Sequence, residues 1–177
     1  IKVLVPRKAI AELARLIEGE EAVGFQRAEG HLLFTAGGRI LASKLVEAQF
    51  PAYEKVITVT GDKKLSLGRE ALQSAIRRVS LLSSERNRAI KVGVADGRLE
   101  LSASSPELGE ARESLSIDYE GEGVEIGFNA QYLLDFLSAV GSDEIVLELR
   151  DAESQGLLRP AGDEQDSYRY VVMPMRF

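Results

Sequence analysis

Hydrophobic and polar positions along the chain fall into short alternating runs, interrupted by single helical stripes, and the order of these runs recurs three times. The first run, "IKVLV", alternates as a strand. A helix is expected from Pro6, a residue favoured in a first turn because it carries no amide to leave unpaired. Its apolar face would hold Ile10, Leu13, Ala14 and Ile17. "AVGFQRA" and "HLLFTA" follow as strands about the Glu29-Gly30 turn, and "RILASKLV" comes after Gly37-Gly38.

The second pass opens with "KLSLG" and continues into "REALQSAIRRVSLL", where Leu72, Ile76 and Val79 mark the apolar face of a helix. "AIKVGVA" and "RLELSAS" form a hairpin about Asp96-Gly97, and "EARESLSIDY" is the next strand. The third pass reads "GVEIGF", helix "NAQYLLDFLSAV", then "EIVLELR", "GLLRP" and "YRYVVMP". Asn129 stands where an N-cap belongs and Gly141 where a helix ends. Strand–helix–strand–strand–strand thus repeats roughly every 60 residues, the mark of similar supersecondary units packed together.

One helix per small antiparallel sheet makes the fold class α+β. Two units would form one domain with both helices on one side, so three units amount to a domain and a half. "EAQFPAYEKVIT", with its lone Pro51, reads as the connection. On this reading residues 1–56 are half a domain plus a linker and 57–177 are a complete domain. The half-domain, without a mate for its apolar faces, is expected to self-associate or to be locally disordered. Ile1 is already mid-strand by pattern, which makes the chain read as part of something longer.

Composition narrows the function. At 177 residues, 45% hydrophobic and 28% charged, the chain can bury one sizeable core or two small ones. With no cysteine, disulfides and thiolate metal sites are excluded. No apolar stretch approaches the roughly 20 residues that span a bilayer, so no membrane association is expected. A net charge of −6 argues against a basic, sequence-reading nucleic-acid binder. It leaves room for a cationic surface confined to one face.

No catalytic constellation emerges. His31 is the one histidine and has no second to build a triad or a metal site. "EGEE", "EGE" and "GDEQD" are solvated acidic turns. Ser83, Ser84 and Glu85 lack a neighbouring base, and "GEGVEIG" runs into a strand where a phosphate loop needs a helix. Neither an enzyme nor a cofactor nor a metal is expected.

The terminal "YRYVVMPMRF" poses a different question, because chain ends are usually polar and frayed. Flexible, polarisable methionine suits a surface that repacks around several partners. This stretch, with "VPRKAIAEL", "SKLVEAQFPAYEKVI" and "EIGFNAQYLLDFL", resembles the β-subunit family of bacterial DNA polymerase III, the DNA sliding clamps. The resemblance covers essentially the whole chain. It implies a DNA-clamp fold and a cytoplasmic, non-catalytic processivity factor that needs no cofactor. Clamps of this family have three domains and close head to tail as a homodimeric ring around double-stranded DNA. The chain would then match the second half of the middle domain and the whole C-terminal domain of a longer parent, and ring formation is expected of that parent.

The same resemblance implies a groove that takes short linear motifs from the catalytic polypeptide of polymerase III, the clamp loader and repair polymerases. Its residues would be Pro51, Lys55 and Val56 on the linker side, Asn129 and Tyr132 on the third helix, and Val171, Val172, Met173, Pro174, Met175, Arg176 and Phe177 in the tail. Asn87 stands where relatives carry an aromatic at the groove edge, and part of the groove's middle-domain wall would belong to the missing half-domain, so peptide binding much weaker than that of a complete clamp is implied. The helices would line the ring, which makes Arg7, Lys8 and Arg15 on the first helix, and Arg69, Gln73 and Arg77 at four-residue spacing on the second, candidates for facing DNA. A clamp-fold interaction module that does not encircle DNA is the alternative.

Overall fold

The computed structural model describes residues 2–57, 61–83, 88–162 and 168–176. The chain divides between Ala52 and Tyr53 into two compact units. The sequence reading drew the line four residues later. The difference lies in a one-turn helix after Pro51, which is hydrogen-bonded to the second unit.

In the first unit, helix α1 (Arg7–Leu16) is followed by strands β1 (Gly24–Ala28), β2 (His31–Ala36) and β3 (Arg39–Lys44). They form an antiparallel sheet in the order β1-β2-β3. Leu32, Phe34 and Ala36 alternate inward on the central strand and are buried. By contrast, every residue of β1 is exposed and α1 buries none. Phe25 remains 52% exposed although its ring lies 5.5 Å from that of Phe34. The strand expected over "IKVLV" does not form: residues 2–5 have no strand pairing, and the contact nearest to one is the Val46 amide donating to the Leu4 carbonyl at 3.0 Å. Pro6 caps α1, one position before its first turn.

The second unit shows why. It contains α2 (Glu54–Ile57), β4 (Lys63–Gly68), α3 (Arg69–Ser80), β5 (Ala89–Ala95), β6 (Arg98–Ser105) and β7 (Gly109–Ser116). β8 (Val124–Asn129), α4 (Ala130–Ala139), β9 (Glu144–Leu149), β10 (Gly156–Pro160) and β11 (Tyr170–Val172) complete it. The two antiparallel sheets run β7-β6-β5-β8 and β11-β10-β9-β4. The leading strand of each half therefore joins the sheet of the other: β4 pairs with β9, Leu65 opposite Leu147, and β8 pairs with β5, Phe128 opposite Ile90. In a lone half, a leading strand has no such mate, however well its residues alternate.

Alternation supplies the core. Leu65, Ile90, Leu99, Leu101, Ile126, Phe128, Ile145, Leu147 and Leu149 point inward from the strands. Leu72, Ile76 and Val79 of α3 and Leu133, Phe136 and Leu137 of α4 close over them. The helices pack side by side, with α3 against β5, β6 and β7 and α4 against β8 and β11. Asn129 caps α4 as its position suggests, its Oδ1 accepting the Gln131 amide at 2.9 Å. Gly156 permits a close approach that a side chain would block: a Cβ there would stand 2.9 Å from Phe128 Cζ and 3.3 Å from Val172 Cγ1.

Candidate partner-binding site on the C-terminal strand

What holds the terminal run down is backbone pairing to both sheets. β11 pairs with β10, Val171 opposite Leu157. Beyond it the chain crosses over, and the Met175 amide donates to the Gly127 carbonyl of β8 at 2.8 Å, forming an isolated bridge. Strand alternation then sorts the side chains. Tyr170 and Val172 face the core, whereas Val171 and Met173 face out. Met173 is 63% exposed. Met173 to Arg176 wall a depression of about 690 Å³, whose other sides include Gly127, Glu153 and Lys91.

Val172, expected to line a groove, is a core residue at 2% exposure, because its strand parity turns it inward. Phe177 and Asn87 lie outside the described residues. Pro51 belongs to the first unit and is exposed. Lys55 and Val56 are exposed on α2, which lies against β11. Tyr132 projects from α4, also next to β11. Beside it, Gln131 Nε2 donates to Asp135 Oδ1 at 2.8 Å. Burial, and secondarily the Asp135 charge, push the Tyr170 hydroxyl pKa up. Asn129, busy capping α4, acts here by fixing the start of the helix that carries Tyr132.

Two contributors carried no sequence signal. Gln155 Nε2 donates to the Val56 carbonyl at 2.8 Å, and Arg169 Nη1 donates to the Ile57 carbonyl at 3.2 Å. Gln155 follows a turn organised by Asp151, whose Oδ1 accepts the amides of Glu153 at 2.9 Å and Ser154 at 2.7 Å. Those backbone bonds, with the Ser154 hydroxyl bond to Oδ2 at 2.8 Å, hold the Asp151 carboxyl below its ordinary value of 3.8. A depressed carboxyl contributes stability above its unfolded value and loses it as pH falls through the folded one. The Glu153 and Ser154 amide resonances are therefore expected to titrate together below pH 3.8, and Asp151→Asn should remove that titration. A midpoint at or above the ordinary value would contradict the assignment.

The cationic candidates separate as well. Arg7 and Lys8 are exposed on α1. Arg15 is exposed but paired with Glu12 at 2.8 Å. Arg77 is exposed on α3. Arg69 is partly buried and ties the start of α3 to the α4–β9 turn, donating to the Ser142 carbonyl at 2.9 Å with Asp143 3.7 Å away. Gln73 does not face outward at all: it is 9% exposed and donates to Ser138 Oγ of α4 at 2.9 Å. The neighbouring helix occupies the face that its spacing had marked as polar. Among the described residues no group of three or more His, Asp or Glu could hold a metal ion. No helix among them is long and apolar enough to cross a membrane.

A domain of two strand-exchanging halves with a stitched-down apolar tail defines a clamp-type domain. The family model for the C-terminal domain of the DNA polymerase III β subunit matches residues 54–176, and the model for the central domain matches residues 1–52. The chain belongs to the bacterial DNA polymerase III β-subunit family. It is 44% identical over 176 residues to the beta sliding clamp of Pseudomonas putida, covering 99% of this chain and 47% of that one. The beta sliding clamp of Escherichia coli is 37% identical over 175 residues, 98% of this chain and 47% of its own. Among solved structures, the Pseudomonas aeruginosa sliding clamp bound to griselimycin superposes with a TM-score of 0.89 at 40% identity, covering 99% of this chain and 47% of that one. Caulobacter crescentus pol III beta superposes with a TM-score of 0.89 at 36% identity, covering 99% of this chain and 46% of that one. The chain thus spans about half the length of these relatives.

Proposed function

We propose that this chain is part of a DNA polymerase processivity factor, a ring that encircles duplex DNA and tethers polymerase, clamp loader and repair proteins through the surface around β11. The observation that carries this reading is the exposed Met173, which follows a strand flanked by α2 and α4, on a tail pinned to both sheets, in a chain of the β-subunit family. Val56, Val171, Met173, Pro174 and Met175 supply apolar contact, and Lys55 and Arg176 supply charge at its rim. No bond is made or broken in this role.

Encircling DNA calls for cations that contact phosphate loosely, since each tight contact adds salt-dependent affinity that would brake sliding. Arg7, Lys8 and Arg77 fit that need best, being exposed on helices; Arg15 and Arg69 share their charge with carboxylates. The negative net charge leaves such a face as the attractive path for DNA. Ring closure takes a second copy. The open edge of β7, with Leu81 74% exposed at the end of the helix packed on it, offers a surface for that contact.

The test uses the full-length protein on nicked circular DNA and on the same DNA linearised. Retention on the circle with loss from the cut form is expected of a ring. Equal retention on both, or none on either, would reduce the protein to an interaction module of the same fold.

A further inference from the structure

Helix α2 is one turn long and buries none of its side chains. Such a turn does not hold on its own, because nucleation fixes several dihedral angles for a single hydrogen bond. Its closing bonds are those of the Val56 and Ile57 amides to the Tyr53 carbonyl, at 2.9 and 3.0 Å. At its other end are the Val56 and Ile57 carbonyls, of the kind that a helix leaves without an intrahelical partner. Both are met from outside: Gln155 Nε2 donates to Val56 and Arg169 Nη1 to Ile57. The donors stand immediately before β10 and β11, neighbouring strands of one sheet. Arg169 also brings a positive charge to the negative end of the helix. Two side chains rooted in the sheet thus grip consecutive carbonyls of a segment that has no buried side chain of its own.

We propose that Gln155 and Arg169 are positioning residues for partner docking, clamping α2 against β11 so that Val56 and Lys55 are presented beside Val171 and Met173. This rests on the partner-groove reading above and adds to it that half of the surface is held by polar bonds to the backbone. Opening the clamp would remove one wall of the site and leave the core of the unit intact.

The experiment follows amide exchange and peptide affinity in the full-length protein, with a fluorescein-labelled peptide carrying Gln-Leu-Ser-Leu-Phe as probe. In a Gln155→Ala/Arg169→Ala double variant, the Val56 and Ile57 amides are expected to exchange at least tenfold faster while Phe128 and Leu147 stay protected. Peptide affinity should fall tenfold or more. Arg169→Lys, which keeps a charged donor, should retain most of both. Met173→Ala should weaken the peptide without changing exchange in α2. Unchanged exchange in the double variant, or faster exchange with unchanged affinity, overturns the clamp. A full-length wild-type protein that ignores the peptide overturns the groove reading itself, and the two failures are thereby told apart.

Discussion

Deleting Met175, Arg176 and Phe177 from the full-length protein is expected to abolish binding of a glutamine–leucine–x–leucine–phenylalanine peptide. Affinity should drop by about 30-fold or more, the scale on which a central hot spot costs at least ~2 kcal/mol. The bond from the Met175 amide to Gly127 is what carries the tail from one sheet to the other. Without it the exposed Met173 and the half-buried Pro174 become a free end and fray. The depression they wall loses that side at the same time. Met175→Ala keeps the amide and so should cost less than the deletion. Fluorescence anisotropy with the labelled peptide reads both variants. Affinity that survives the deletion would refute the site.

Replacing Phe136 by alanine is the second large effect, and it falls on stability. Phe136 is fully buried on α4, its ring centroid 5.6 Å from that of Tyr168 and 5.4 Å from that of Tyr170. It sits where α4 meets β11, so the cavity would open between a helix and the strand that carries the tail. Removing a buried phenylalanine costs about 3–5 kcal/mol, the transfer term plus the void left by incomplete collapse. Phe136→Leu, which leaves a smaller void, should lose less. Urea unfolding followed by circular dichroism should show a lowered midpoint at an unchanged slope. A midpoint within error of wild type would mean that the packing around this ring is not what closes the domain.

The order of elements was legible because period-two and period-3.6 patterns are local properties, and the second and third passes fold as read. Neighbour relations were not legible. Nothing in "KLSLG" or "GVEIGF" says that each strand crosses to the other half's sheet, and the same blindness made "IKVLV" read as a strand. Gln73 was misplaced for a related reason. A stripe on one helix shows which face is polar, but another helix can still cover it, as the bond to Ser138 shows. Val171 and Val172 were read as serving both strand and groove, and the sequence did not say which faces in; strand alternation turns Val172 to the core. Helix α2 left no trace at all. A single turn without a buried side chain has no periodicity, and it exists through Gln155 and Arg169, which lie far away in the sequence.

The exchange of β4 and β8 has a mechanical consequence. The two repeats are joined like clasped hands, each finishing the other's hydrogen-bonded ladder, so neither can be peeled away without tearing a strand out of its neighbour. The stretch between Ser116 and Val124 joins them and is itself stitched down, the Gly97 amide donating to the Tyr119 carbonyl at 2.9 Å and the Ile117 amide to the Gly97 carbonyl at 3.1 Å, with Ile117 and Tyr119 packed on the core. Changes in its length beyond Tyr119 should leave the clasp untouched, and unfolding of the two repeats has to proceed as one event.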